Sequence, residues 1–348
     1  MHADFHSLAQ EWGIHFSGAQ DYLPDEFRHN FALAMDAQPT LVTQSNSAIP
    51  AYLTQWVDPN IIKILVAPMK AAVIMGEVRK GDWLTDTAMF PVSERTGEVS
   101  SYGDFNNNGH VGANVNWPQR QSYYYQTVTQ WGERELERMG LARINWAAQL
   151  NESSVLVLNK FQNKTYFFGV AGLQNYGLLN DPGLSAPIQP GPKAYNSQAH
   201  GPWVTSGVVT ATANEIFADI QSLFYQLVAQ SNGLVQMDSR MTLAMSPGSE
   251  VALTATNAFN VNVADLLKKN FPNIRVETAV EYATTAGNLV QLIVDQVEGQ
   301  ETGYMAFNEK MRSHPIVRDM SSFKQKKSQG TWGAIILQPF GISQMLGV

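Results

Sequence analysis

The 348-residue chain contains no cysteine. Disulfides, thiolate metal sites and cysteine nucleophiles are therefore excluded. Charge is also scarce: Asp, Glu, Lys and Arg make up 15% of the residues, against about a quarter in ordinary globular domains. That scarcity, with 8 Trp, 12 Tyr and 16 Phe, fits a chain whose surface is largely covered by partners and, equally, an ordinary monomer with few charges. Interface cores are poor in charge and rich in aromatics and Met. The net charge of −7 is not the basic excess of a dedicated nucleic-acid binder, although a container wall need only tolerate nucleic acid. The opening MHADFHSLAQEWGIHF has neither the basic start nor the apolar run of a signal peptide. No apolar run approaches the length of about 18 residues needed to span a bilayer, so no membrane segment is expected. No internal repeat is evident.

Catalytic signatures are missing too. The sequence has no G-x-S-x-G, no G-x-x-x-x-G-K-[ST] and no H-E-x-x-H. Gly183-Leu184-Ser185 lacks the closing glycine of a nucleophile elbow. Glu133, Glu135 and Glu137 are spaced to scatter around a helix, which makes them a solvated first turn matched to the helix dipole. His2, His6, His15 and His29 have no organising acids, and His110, His200 and His314 stand alone. Asp104 to Gly109 matches the start of a calcium loop, D-x-N-x-N-G. Its twelfth position, where a bidentate Glu belongs, is Val115. A polar hairpin turn explains the run better. No catalytic residue, cofactor or metal site is expected, and the chain is not expected to be an enzyme.

What is present is a distinctive order of segments. Residues 1–48 are polar and weakly patterned, an arm that cannot easily bury itself. In residues 49–75 a short helix-like stretch ends near Asp58-Pro59. The apolar KILVAPMKAAVIM then suits a buried strand interrupted at Pro68. Residues 76–131 alternate β-formers with Gly97, Gly103, Gly109, Gly112 and the run Asn106-Asn107-Asn108. This is a long β-hairpin signature. The hairpin has too few large apolar residues for a private core, and a two-stranded hairpin is marginal alone in water. It should rest on a partner, with Trp83, Phe90, Asn106, Asn107 and Trp117 as expected inter-subunit contacts.

Residues 132–162 carry no proline. Leu136, Met139, Ile144, Ala147, Leu150, Val157, Leu158 and Phe161 recur at helical steps. One helix of about 30 residues, roughly 45 Å long, is predicted, with Gly140 a mild weakness. Gly and Pro crowd residues 163–205. Residues 206–300 read as a compact α/β lobe. A helix capped by Thr212 or Asn214 and stopped at Gly233 is followed by the strand MTLAMSP, the helix VADLLKKNFPN and two more strands. The tail TWGAIILQPFGISQMLGV reads as strand, proline break and final strand. Lys324, Lys326 and Lys327, with Arg312 and Arg318 upstream, form the one basic cluster, facing packaged DNA or a neighbour's acidic surface, or simply solvent.

This order resembles the Hong Kong 97-type major capsid proteins of tailed phages. Three stretches carry the resemblance: RQSYYYQTVTQWGERELERMG, FFGVAGLQNYGLLNDPGLS and GAIILQPFGISQMLGV. They are similar, in turn, to the strand entering the spine helix, the glycine-rich turn after that helix, and the closing strand. The resemblance covers residues 50–348. It implies an α+β Hong Kong 97-like fold. Its parts are an N-terminal arm at 1–48, a first peripheral part at 49–75 and an extended β-hairpin loop at 76–131. A long spine helix and peripheral domain follow at 132–205, an axial domain at 206–300, and a return to the peripheral domain at 301–348. There the closing strand pairs beside the spine helix.

The implied role is self-assembly into pentamers and hexamers that form an icosahedral head shell around double-stranded DNA. Scaffolding, portal and decoration proteins are the implied partners, with DNA held by non-specific proximity. The product would be a virion capsid assembled in the host cytoplasm. Encapsulin compartments share the fold and are the nearer alternative. A soluble α+β enzyme or binding module is the remoter one. No charged scaffold-like segment precedes residue 50, and no Lys lies between residues 81 and 131, so covalent crosslinking through the loop is not expected.

Overall fold

The computed structural model describes residues 68–105, 107–141, 144–195 and 200–348. Expectations for the arm, for residues 49–67 and for Asn106 lie outside the described residues. The described residues divide into two units, one containing 70–125, 162–312 and 328–348, the other 126–161 and 313–327.

The larger unit begins with a short helix, α1 (Ala71–Met75). This corrects the strand expected there. The stretch's unbroken apolar character marks burial, as Ala71 and Ile74 confirm, and burial does not distinguish strand from helix over five residues. Strand β1 (Glu77–Arg79) follows. A long excursion then returns through β2 (Thr87–Met89), β3 (Val92–Gly97), β4 (Val111–Asn116), β5 (Gln119–Gln121) and β6 (Tyr123–Gly132). β3 and β4 pair antiparallel from Val92↔Asn116 to Gly97↔Val111. At its base, β2 pairs with β5.

Helix α2 (Glu133–Leu141) and helix α3 (Trp146–Phe168) replace the single helix expected. The new start has a local cause: the Asn145 side-chain oxygen accepts from the Ala148 N–H at 3.2 Å, an Asn cap for an otherwise orphaned donor. α3 has 23 residues, about 34 Å at the helical rise. Its buried positions in the larger unit are partly polar: Gln162, Asn163, Thr165, Tyr166 and Phe167.

The sheet-and-helix lobe matches its sequence pattern closely. After the short strands β7 (Val204–Thr205) and β8 (Val208–Val209) comes helix α4 (Ala213–Gln230). Thr212 and Glu215 close a reciprocal capping box at its start. Gly233, at φ +84°, donates its N–H to the Val228 carbonyl and ends it. Strand β9 (Met241–Met245), a short helix α5 (Pro247–Glu250), helix α6 (Val263–Asn270), β10 (Ile274–Thr278), β11 (Ala283–Thr284) and β12 (Gly287–Val294) follow. The sheet order is β10-β9-β12-β11, with β10 parallel to β9 and β12 antiparallel to it. Ile216, Ile220, Leu223 and Leu227 of α4 pack into one core with Leu243, Leu267, Phe271 and Leu292. Within that core region, Asp219 accepts from Lys193 Nζ at 2.5 Å, Trp203 Nε1 at 2.6 Å and the Gly191 N–H at 2.8 Å. A buried carboxylate is tolerable only when its oxygens are satisfied in this way.

Two further short strands, β13 (Gln296–Val297) and β14 (Gln300–Glu301), lead to β15 (Gly303–Ser313), β16 (Val317–Asp319), β17 (Ser322–Ile336) and β18 (Ile342–Leu346). A second sheet has the order β1-β15-β17-β16, with β6 also paired to β17. The last strand departs from expectation. β18 pairs antiparallel with β12, from Leu289↔Leu346 to Ile293↔Ile342. The chain end therefore completes the lobe sheet, while β17 before it belongs to the other sheet. The 3₁₀ turn at Pro339–Gly341 makes the switch, at the proline break read from the sequence.

Candidate assembly surfaces

The hairpin carries several of the most exposed apolar side chains among the described residues. All six residues of β4 are exposed. At and around the tip, Val99, Tyr102 and Phe105 are at 100%, 93% and 102% of full exposure. Leu84, Met89, Val111 and Val115 are exposed as well. Leu84, Tyr102 and Phe105 escaped the sequence reading because single apolar residues in a turn-rich segment carry no periodicity.

The hairpin's base is held firmly. Asn308 donates to the Thr85 carbonyl and to Tyr124 Oη, each at 2.9 Å. Trp332 Nε1 donates to the Lys80 carbonyl at 2.9 Å, and the Trp332 side chain is fully buried. Of the expected inter-subunit contacts, Trp117 and Asn107 are exposed. Trp83 instead sits edge-on to Tyr124 at 4.8 Å between ring centroids, with Arg312 over its ring. Phe90 packs against the cluster of Tyr304, Ala306, Trp332 and Ile335. These two aromatics anchor the base at home.

The basic cluster divides along its strand. Lys326 is exposed, and Lys324 is half-buried and paired with Asp319. Lys327 points the other way and is buried. It donates to Ser154 Oγ at 2.7 Å and Asn151 Oδ1 at 2.9 Å on α3. Burial pulls its pKa below the ordinary lysine value. Lys327 therefore cannot face DNA. The period of two that separates neighbouring strand residues puts it on the face opposite Lys324 and Lys326. Where β16 pairs with β17, Arg318 reaches Glu133 at 2.8 Å and the Glu133 N–H donates to the Ser321 carbonyl.

The glycine-rich turn after α3 closes that helix. The last carbonyls of a helix have no partner within it. Here the Tyr166 carbonyl accepts from the Leu178 N–H at 2.8 Å and the Phe167 carbonyl from the Leu179 N–H at 2.9 Å. The Phe168 carbonyl accepts from Asn180 Nδ2 at 2.6 Å. Such close return requires bare backbone: a Cβ on Gly177 would lie 2.2 Å from the Phe167 carbonyl carbon. Among the described residues no cluster of His, Asp or Glu could hold a metal ion.

Comparison with known proteins agrees with this picture. No curated protein matches the sequence. The fold is similar to the capsid protein of Myoviridae phage XM1, with a TM-score of 0.69 at 14% identity over 87% of this chain and 100% of that one. It is also similar to the capsid of a GTA particle (TM-score 0.54, 12% identity, 87% and 99% covered). A third relative is from Gordonia phage Cozz (TM-score 0.55, 10% identity, 90% and 98% covered). At the level of sequence, the family model of the Pa193 gp26 major capsid protein matches residues 40–347. The chain therefore belongs to the Pa193 gp26 major capsid protein family.

Proposed function

We propose that the chain forms pentamers and hexamers that close an icosahedral phage head around double-stranded DNA, with the hairpin between Gly76 and Trp131 laid over an adjacent subunit. The chain is a structural protein of the virion and self-associates into the shell; it is not an enzyme. Membership of a phage capsid family favours this over an encapsulin-like compartment.

One observation carries the docking proposal. The hairpin exposes Val99, Tyr102, Phe105 and Trp117 together and has no core of its own, yet its base is fixed by part-buried hydrogen bonds. An apolar surface presented on a fixed stem marks an interaction site. Trp117 and Asn107 are the contacts proposed on it. Lys324 and Lys326 are proposed to meet a neighbour's acidic surface or packaged DNA. Scaffolding, portal and decoration proteins are proposed as further partners, and the host cytoplasm as the place of assembly. The segment divisions at residues 48, 75, 131, 205 and 300 are proposed as the subunit's functional regions.

Deletion of residues 86–116 tests the docking. The shortened chain is expected to stay folded and soluble, with its melt lowered only by the loss of the β2–β5 pairing and of Phe90 from the Trp332 cluster, and to fail to close shells. Shells of normal size and yield from the deletion would remove the hairpin from the assembly mechanism.

A further inference from the structure

The sequence contains two Asn-Gly pairs, Asn108-Gly109 and Asn232-Gly233. All four residues are exposed. They differ at the atom that matters for asparagine chemistry, the glycine nitrogen. The Gly233 N–H is committed to the Val228 carbonyl at 3.0 Å, as the stop of helix α4. The Gly109 N–H makes no hydrogen bond among the described residues. Gly109 lies in the hairpin tip at φ +96°, where Cβ-bearing residues are strained. The tip around it is held by Ser100 Oγ donating to the Asn108 carbonyl at 2.8 Å, and by the Glu98 N–H donating to the His110 carbonyl at 3.1 Å.

We infer that Asn108 is a site of spontaneous deamidation at the hairpin tip. The deprotonated Gly109 nitrogen attacks Cγ of Asn108. A C–N bond forms, the bond from Cγ to the side-chain nitrogen breaks, and ammonia leaves. Water then opens the five-membered imide at either carbonyl, giving aspartate or isoaspartate. The sum is asparagine plus water to a carboxylate-bearing residue plus ammonium, with no oxidant or reductant. A missing side chain on Gly109 and an N–H with no partner among the described residues favour the attack. At Asn232 the same attack must first break the helix-stop hydrogen bond.

The product adds a negative charge to a tip that already carries Glu98 and Asp104. The isoaspartate form also lengthens the backbone by one methylene between Ser100's partner and His110. Resting on the docking of the hairpin proposed above, a covered tip reacts more slowly than a free one. Unassembled subunits then lose the native tip with age, and assembled ones keep it.

The test is peptide mapping by mass spectrometry of the full chain, incubated at mildly alkaline pH as free subunits and as shells. An Asn108→Gln chain serves as the unreactive control. In free subunits the peptide bearing Asn108 is expected to gain the mass of an amide-to-acid exchange and to split into two isomers. It should do so about tenfold faster than the peptide bearing Asn232, the factor set by one hydrogen bond. Equal rates at Asn108 and Asn232, or conversion at Asn108 only after unfolding in urea, would overturn the assignment. Slower conversion in shells supports coverage of the tip. Equal conversion in shells and subunits leaves the modification standing and contradicts the docking.

Discussion

A chain truncated after Thr331 is expected to be insoluble or unfolded, not merely unable to assemble. The 17 residues removed supply buried side chains to every core cluster of the larger unit. Trp332 and Ile335 belong to one cluster, Ala334, Ile336 and Ile342 to a second, and Met345 and Val348 to the third. The loss also strips β18 from β12, a ladder running from Leu289↔Leu346 to Ile293↔Ile342. Each buried aliphatic side chain contributes about 1.5–3 kcal/mol. Four or five of them match the whole stability margin of about 5–15 kcal/mol. Chain ends usually fray without consequence; this one is a central component. Circular dichroism and thermal melting of the truncated chain are the measurement. A cooperative melt near the full-length value would show the tail to be peripheral.

Gly177→Ala is expected to destabilise the subunit by about 4 kcal/mol or more, a large effect for one methyl group. The new Cβ would meet the Phe167 carbonyl carbon and oxygen at 2.2 Å and the Phe168 nitrogen at 2.3 Å. All three are backbone atoms at the end of α3, so no side chain can turn aside. Moving the turn away would sacrifice the hydrogen bonds to the Tyr166, Phe167 and Phe168 carbonyls, each worth about 0.5–1.5 kcal/mol. Gly140→Ala is the matched control. Gly140 lies within α2, and a methyl group added there would meet no atom within 4 Å. At that position Ala should stabilise by about 0.5–1 kcal/mol, through helix propensity alone. Thermal melts of the two variants should move in opposite directions. Equal small shifts would mean that the turn yields to a side chain and does not clamp the helix end.

The features legible in the sequence were those encoded locally. Thr212 and Gly233 announce α4 because caps and stops act within one turn of their own residues. The glycines and the Asn run between β-forming flanks announce the β3–β4 hairpin in the same way. What sequence reasoning missed depends on distant partners. The apolar positions assigned to the long helix predict its buried face, yet Leu136 and Val157 are exposed and Leu158 alone among those described is buried. The buried positions include Ser154, Gln162, Asn163 and Thr165. They are polar because their partners are polar: Lys327 bonds Ser154, Tyr166 accepts from Gln162, and Thr165 meets Thr331 at 3.2 Å. Hydrophobic periodicity cannot report a face satisfied by hydrogen bonds. The same blindness placed Lys327 in a surface cluster. Likewise, the partner of β18 was not legible, because its pairing with β12 is non-local.

For the surface contacts, the residue types were informative and their direction was not. Trp83 and Phe90 are aromatic residues in a coreless hairpin, which is why they read as contacts to a neighbour. In the folded chain Trp83 meets Tyr124 and Phe90 packs near Trp332. Trp117, Tyr102 and Phe105 are the ones left facing outward.

The central claim is that this chain builds a closed shell from copies of itself. Electron microscopy of the purified full-length protein, with light scattering on the same sample, tests it most directly. Closed icosahedral particles or ring-shaped pentamers and hexamers, composed of the uncleaved chain, are the predicted result. A monodisperse monomer at micromolar concentration that stays monomeric at high salt and with its scaffold would contradict it.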